Sequence, residues 1–246
     1  MANRLLRSGC AATRVVSKLV TKAVFDFNLI EDGDRVLIAA SGGKDSTVMA
    51  MTLAAIRPAL KRDYALAALH LSSDFCACCK KSVLRGRLAG WGIPFTDLAV
   101  PVIGRLKPGR KMNCYWCSTQ RRTELLRYAM EHGFSKIALG HHADDILETF
   151  FMNMCGKGVL ETMPPLLRYR KYPVALIRPL TLAEERQVIA AAAENGILKA
   201  ACTCPYGINS KRRDYRARLA AFTANSAEKR RMLAAVLQSE QPESPD

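Results

Sequence analysis

The chain has 246 residues, enough for one α/β domain with a small appendage, and its 49% hydrophobic content is ample for a large core. No apolar run is long enough to span a membrane, and the N-terminus, which alternates bases with short apolar steps, lacks the form of a secretory signal. The formal charge of +15 favours a polyanionic partner, while nine cysteines without an export signal argue against a disulfide framework and point to metal, cluster or thiol chemistry.

Residues 1–34 form a first unit. The opening stretch carries Arg4, Arg7, Arg14, Lys18 and Lys22 and no acid, a pattern shared by transit peptides and amphipathic helices. The helix is favoured: Leu5, Leu6, Val15, Val16, Leu19 and Val20 fall on or near one face, and the pattern runs unbroken into Phe25-Asp26-Phe27. The turn Glu31-Asp32-Gly33-Asp34 closes it. A main α/β domain follows over 35–200. Apolar runs predict strands at 35–40, 65–71, 95–100, 136–140 and 173–180, and helices at about 45–57, 82–91, 117–131, 142–154 and 182–194. Strands alternating with helices imply a parallel sheet covered on both faces, with ligands at the strand C-termini. A cysteine motif and a basic helical segment occupy 201–238, and a Pro- and acid-containing tail, 239–246, reads as disordered.

Chemistry concentrates at a few short stretches. The run Ser41-Gly42-Gly43-Lys44-Asp45-Ser46 joins the first strand to a helix, a geometry that offers backbone N–H groups to a phosphate. The glycines allow positive φ and close approach, the serines add hydroxyl donors, and Lys44 adds a mobile positive charge. His70, at the end of the second strand, is a further candidate nucleotide contact. Cys114-Tyr115-Trp116-Cys117 is a CxxC pair at a helix mouth, where thiol pKa is lowered. With Cys202 and Cys204 it can bind a three-cysteine iron–sulfur cluster or a four-cysteine structural zinc; spacing leaves both open. In His141-His142-Ala143-Asp144-Asp145, an aspartate can hold Mg²⁺ against bound phosphates, orient an attacking group, or simply cap a helix. Cys76, Cys78 and Cys79, beside two lysines, are auxiliary or incidental thiols, and Cys10 and Cys155 are ordinary ones. Basic clusters at 107–111, 120–122 and 211–218 can track a phosphate backbone, with Tyr115 or Trp116 stacking on a base.

The loop resembles SGGxDS, the pyrophosphate loop of the ATP pyrophosphatase (PP-loop) superfamily, whose fold is adenine-nucleotide alpha-hydrolase-like. Taken with CxxC, Gly140-His141-His142-Ala143-Asp144-Asp145-Ile146-Leu147-Glu148-Thr149-Phe150, Met163-Pro164-Pro165, Ile177-Arg178-Pro179-Leu180 and the N-terminal 26–34 stretch, the chain resembles the tRNA 2-thiocytidine synthetase family. The resemblance implies a tRNA substrate and an ATP-dependent sulfurtransferase using Mg²⁺ and a [4Fe-4S] cluster. It implies catalytic roles for Lys44, Asp45, Asp144 and Asp145, with Asp145 on Mg²⁺, and nucleotide contacts from residues 41–46. It makes Cys114 and Cys117 cluster ligands, and Cys204 the third, with Cys202 as the alternative. It also implies a sulfur donor such as a cysteine desulfurase and a cytoplasmic setting, and it allows a homodimer. The rival readings are a PP-loop thiolase or desulfurase acting on a small molecule, and a zinc-stabilised RNA-binding module.

Overall fold

The computed structural model describes residues 10–75, 81–197, 211–223 and 225–239. Leu5, Leu6, the three thiols Cys76, Cys78 and Cys79, both candidates for the third ligand (Cys202 and Cys204) and the 240–246 tail lie outside the described residues.

Among the described residues six strands form one sheet: β1 (Arg35–Ala39), β2 (Ala65–Ser73), β3 (Phe95–Val100), β4 (Lys136–Ala138), β5 (Leu166–Arg168) and β6 (Ala175–Ile177), in the order β3-β2-β1-β4-β6-β5. Every pairing is parallel except that of β5 with β6. The described helices are α1 (Ala11–Asp26), α2 (Lys44–Ile56), α3 (Lys81–Gly90), α4 (Cys114–Glu131), α5 (Ala143–Lys157), α6 (Glu185–Glu194), α7 (Lys211–Phe222) and α8 (Ser226–Ser239). None is long and apolar enough to cross a membrane.

Side chains of β1 alternate between two cores. Val36 and Ile38 join α1, α2, α3 and α6 on one face, while Leu37 faces α4 on the other. Burial on both faces is why the strand reads as a continuous apolar run. A third cluster joins Ile146 and Leu147 of α5 to Leu219 of α7 and Leu233 and Val236 of α8. Helix α1 packs its Val16, Val20, Ala23 and Val24 into the first core, and Glu194 caps its start by accepting from the N–H groups of Ala12 and Thr13, each at 2.9 Å. Val15, expected on the apolar face, is 41% exposed; Thr13 and Ser17 take the buried side instead, because the helix faces the α6 terminus there.

The strand order reverses between β1 and β4. The chain winds outward through β2 and β3, then returns to β4 on the other side of β1. That switch point leaves a crevice at the strand C-termini, between the loops that follow β1 and β4. Two elements differ from expectation. The edge strand β5 was hidden by Pro164 and Pro165 just before it. The basic segment after 205 is broken into α7 and α8, because the side chain of Asn225 accepts from Ala227 and Glu228 N–H and starts a new helix.

Candidate active site

The loop after β1 is knitted by its own serines. Ser41 and Ser46 Oγ lie 3.0 Å apart, Gly43 N–H donates to Ser41 Oγ, and Ser46 Oγ donates to Gly43 O. Only Gly42 uses the left-handed region, at φ 77°; Gly43 is extended, at φ −77°, and forms the N-cap of α2. No side chain caps α2. Its first N–H groups therefore face the crevice end of the sheet, as an anion site requires. The loop after β4 leans directly on this turn. A Cβ on Gly140 would lie 2.9 Å from Ser46 N and 3.1 Å from Asp45 C, so only glycine permits the approach.

Between the two loops lies a cavity of about 390 Å³. Ser41, Asp45 and Ser46 line it from the first loop, and Gly140, His141 and Asp145 from the second. Its third wall is α4, through Ser118, Arg121, Arg122 and Leu125. Arg121 Nε is buried with no described hydrogen-bond partner, which suits an anionic occupant. Cys114 and Cys117 continue the same helical stripe, at spacings of three and four residues from Cys114 through Cys117 to Arg121. The rise from Cys117 to Arg121 is about 6 Å. The sequence set the CxxC motif and the loop at 41–46 far apart; the fold brings the helix that opens with Cys114 and Cys117 to the cavity wall, which it lines from Ser118 onward.

Cys114 is exposed and Cys117 partly buried against the α4-side core, both in the first turn of α4. Two thiols one turn apart fit two positions of a cluster. Among the described residues no set of three or more His, Cys, Asp or Glu groups is disposed to hold a metal ion. Asn113 caps the helix through Trp116 N–H, and Trp116 Nε1 donates to Val102 O at 2.9 Å. Of the two stacking candidates, Trp116 is therefore anchored, and Tyr115, 81% exposed, is available.

The two aspartates part ways. Asp145 lines the cavity and forms a reciprocal capping box with His142. Asp144 turns aside: its Oδ1 lies 2.6 Å from Lys229 Nζ, and its Oδ2 accepts from Glu185 N–H at 2.6 Å. Burial raises the Asp144 carboxyl, but Lys229 and the Glu185 N–H outweigh it and hold the group below its ordinary value. Lys44, expected as a mobile charge, is clamped. Its Nζ lies 3.0 Å from both Asp45 Oδ1 and Glu185 Oε1, and it is not among the cavity-lining residues. Burial alone would lower its pKa; the two carboxylates raise it. His70 does not line the cavity either. Alternation along β2 turns Leu69 and Leu71 toward it and His70 away, so the ring instead braces Ala40 O at 2.7 Å through Nδ1.

Two site-flanking residues lie outside the motifs above, Glu185 and Lys229, and Glu148, inside the 140–150 run but given no role there, is fully buried and paired with Arg216. Nothing local marks them, since their partners are remote in the chain. Arg216, expected to track phosphates, is thereby drawn inward to Glu148 and Glu185. Arg121 and Arg122 likewise belong to the cavity wall.

The PP-loop domain family matches residues 12–199. Similar curated proteins include the tRNA-cytidine(32) 2-sulfurtransferase of Syntrophotalea carbinolica, 37% identical over 196 residues, which cover 78% of this chain and 75% of that one. The protein of the same name from Nitrosomonas eutropha is 40% identical over 176 residues, covering 70% of this chain and 56% of that one. The chain thus spans from a little over half to about three quarters of these relatives. Among solved structures, the U34-tRNA thiolase NcsA from Methanococcus maripaludis with its [4Fe-4S] cluster superposes with a TM-score of 0.73 at 21% identity, over 94% of this chain and 82% of that one. The NMN synthetase from Francisella tularensis does so with 0.52 at 12% identity, over 96% and 97%. At these identities the two structures establish the fold.

Proposed function

The chain belongs to the PP-loop family and, within it, to the tRNA-cytidine(32) 2-sulfurtransferases, and from that membership we propose that it activates a tRNA pyrimidine with ATP and replaces its C2 oxygen with sulfur. The observation that supports the proposal is the shared cavity: residues of the loop at 41–46, Asp145, and Arg121 and Arg122 of α4 line it, and α4 opens with Cys114 and Cys117. A nucleotide-activating half and a sulfur-bearing half are what the reaction needs within reach of one base.

In this reading the N-terminus of α2 and the loop at 41–46 hold the ATP phosphates, with Lys44 and Arg121 neutralising charge. Asp145 is the carboxylate for Mg²⁺, since it lines the cavity and Asp144 does not. The C2 oxygen of cytidine attacks the α-phosphorus, and the bond to pyrophosphate breaks, giving an adenylated base. Sulfide, released when a thiol reductant cleaves the persulfide of a donor such as a cysteine desulfurase and is itself oxidised to a disulfide, then attacks C2, and AMP departs with the former base oxygen. Cys114 and Cys117 would hold a [4Fe-4S] cluster, together with a cysteine from 202–204; bound there, it would supply an open iron site for sulfide. The residues of this chain position the reactants and stabilise charge. Tyr115, on the exposed start of α4, offers a stacking surface for the target base.

Mass spectrometry of tRNA nucleosides from a deletion strain, before and after complementation, tests the proposal. Loss of one 2-thiopyrimidine, restored by the wild-type chain and not by Lys44→Ala or Asp45→Ala, is expected. An unchanged nucleoside profile on deletion would sink the tRNA reading, and restoration by Lys44→Ala would sink the loop assignment.

A further inference from the structure

The start of α6 is a hub of charge. Glu185 Oε1 takes the Lys44 ammonium across 141 positions of sequence, and Glu185 Oε2 lies 3.5 Å from Arg216 Nη1 of α7. The Glu185 backbone is itself pinned by Asp144. One residue earlier, Glu184 accepts from Ser226 and Arg230 of α8. A carboxylate beside a triphosphate site is electrostatically adverse on its own. Arg216 offsets its charge, and the purpose of the carboxylate there lies in what else it holds.

The geometry supplies that purpose. An ammonium has three N–H groups. In Lys44, Asp45 and Glu185 account for two. We propose that Glu185 is a positioning residue: it orients the Lys44 ammonium so that its third N–H is presented to a nucleotide phosphate. The proposal rests on the reading of residues 41–46 as the ATP phosphate loop. Without Glu185, the long Lys44 side chain keeps Asp45 alone and regains rotamer freedom, which each binding event must then remove.

A double-mutant cycle on the full-length chain, read as ATP affinity by titration calorimetry, tests this. Glu185→Ala is expected to weaken ATP binding about tenfold, the scale of one charge-assisted hydrogen bond, when Lys44 is present. Glu185→Gln, which keeps the size and one acceptor, should lose about threefold and also serves if the alanine variant does not fold. In the Lys44→Ala background neither change should alter affinity further. An unaltered or tighter affinity in Glu185→Ala overturns the proposal, and so does a loss of the same size in both backgrounds, which would mark a structural role. If Lys44→Ala alone binds ATP like the wild type, the phosphate-loop reading falls and this proposal with it.

Discussion

Asp144 is 7% exposed and holds its charge through two partners, Lys229 and the Glu185 N–H. Because its folded pKa is lowered from 3.8, it contributes stability above the ordinary carboxylate range and loses it as pH falls through the lower folded value. Lys229→Ala removes the main opposing partner and leaves burial to dominate, so the carboxyl pKa in the variant rises. The variant should therefore be less stable by about 1.5–3 kcal/mol near neutral pH, and the deficit should shrink toward pH 4 as Asp144 protonates. Urea melts at the two pH values check this; a deficit independent of pH would mean that Lys229 acts by packing alone. The pair was invisible in the sequence because 85 positions separate its members. Both aspartates stood out in the sequence because they follow a strand and open a helix; that Asp145 and not Asp144 lines the cavity was not written there.

At the scale of elements, the site depends on how closely two loops approach. The switch between β1 and β4 sets the crevice, and Gly140 sets its width. Gly140→Ala would drive a methyl group against backbone atoms of Asp45 and Ser46, and such atoms cannot swing aside as a flexible side chain can. A stability loss of about 1–3 kcal/mol is expected, with a larger relative loss of ATP affinity because the shift falls on the start of α2. Thermal melting alongside ATP titration separates the two; unimpaired ATP binding would show that the loop tolerates the displacement. The SGGKDS turn was legible because strand, turn and helix are contiguous. The alignment of Cys114 and Cys117 with Arg121 was legible only as helical spacing; that this face meets the phosphate loop required the sheet.

For the whole molecule, the charge of +15 and the basic residues exposed near the α4 entrance favour a polyanion. Binding of unmodified tRNA should therefore weaken at least about tenfold between 50 and 200 mM salt, as released counterions require. Filter binding across that range checks it, and salt-independent binding would point to a small-molecule substrate instead. Contiguous stretches carried the α/β class, the parallel sheet, the phosphate loop and the CxxC pair, because each is written in periodicity or spacing within a few residues. The tertiary structure alone decided that Lys44 is clamped by Glu185, that Asp144 turns to Lys229 while Asp145 enters the cavity, and that His70 braces the loop from behind. Those are pairings between distant segments, and a carboxylate's partner is chosen by the fold that surrounds it. The loop itself needed no such help: two glycines between serines, at the end of a buried strand, can turn there in few other ways.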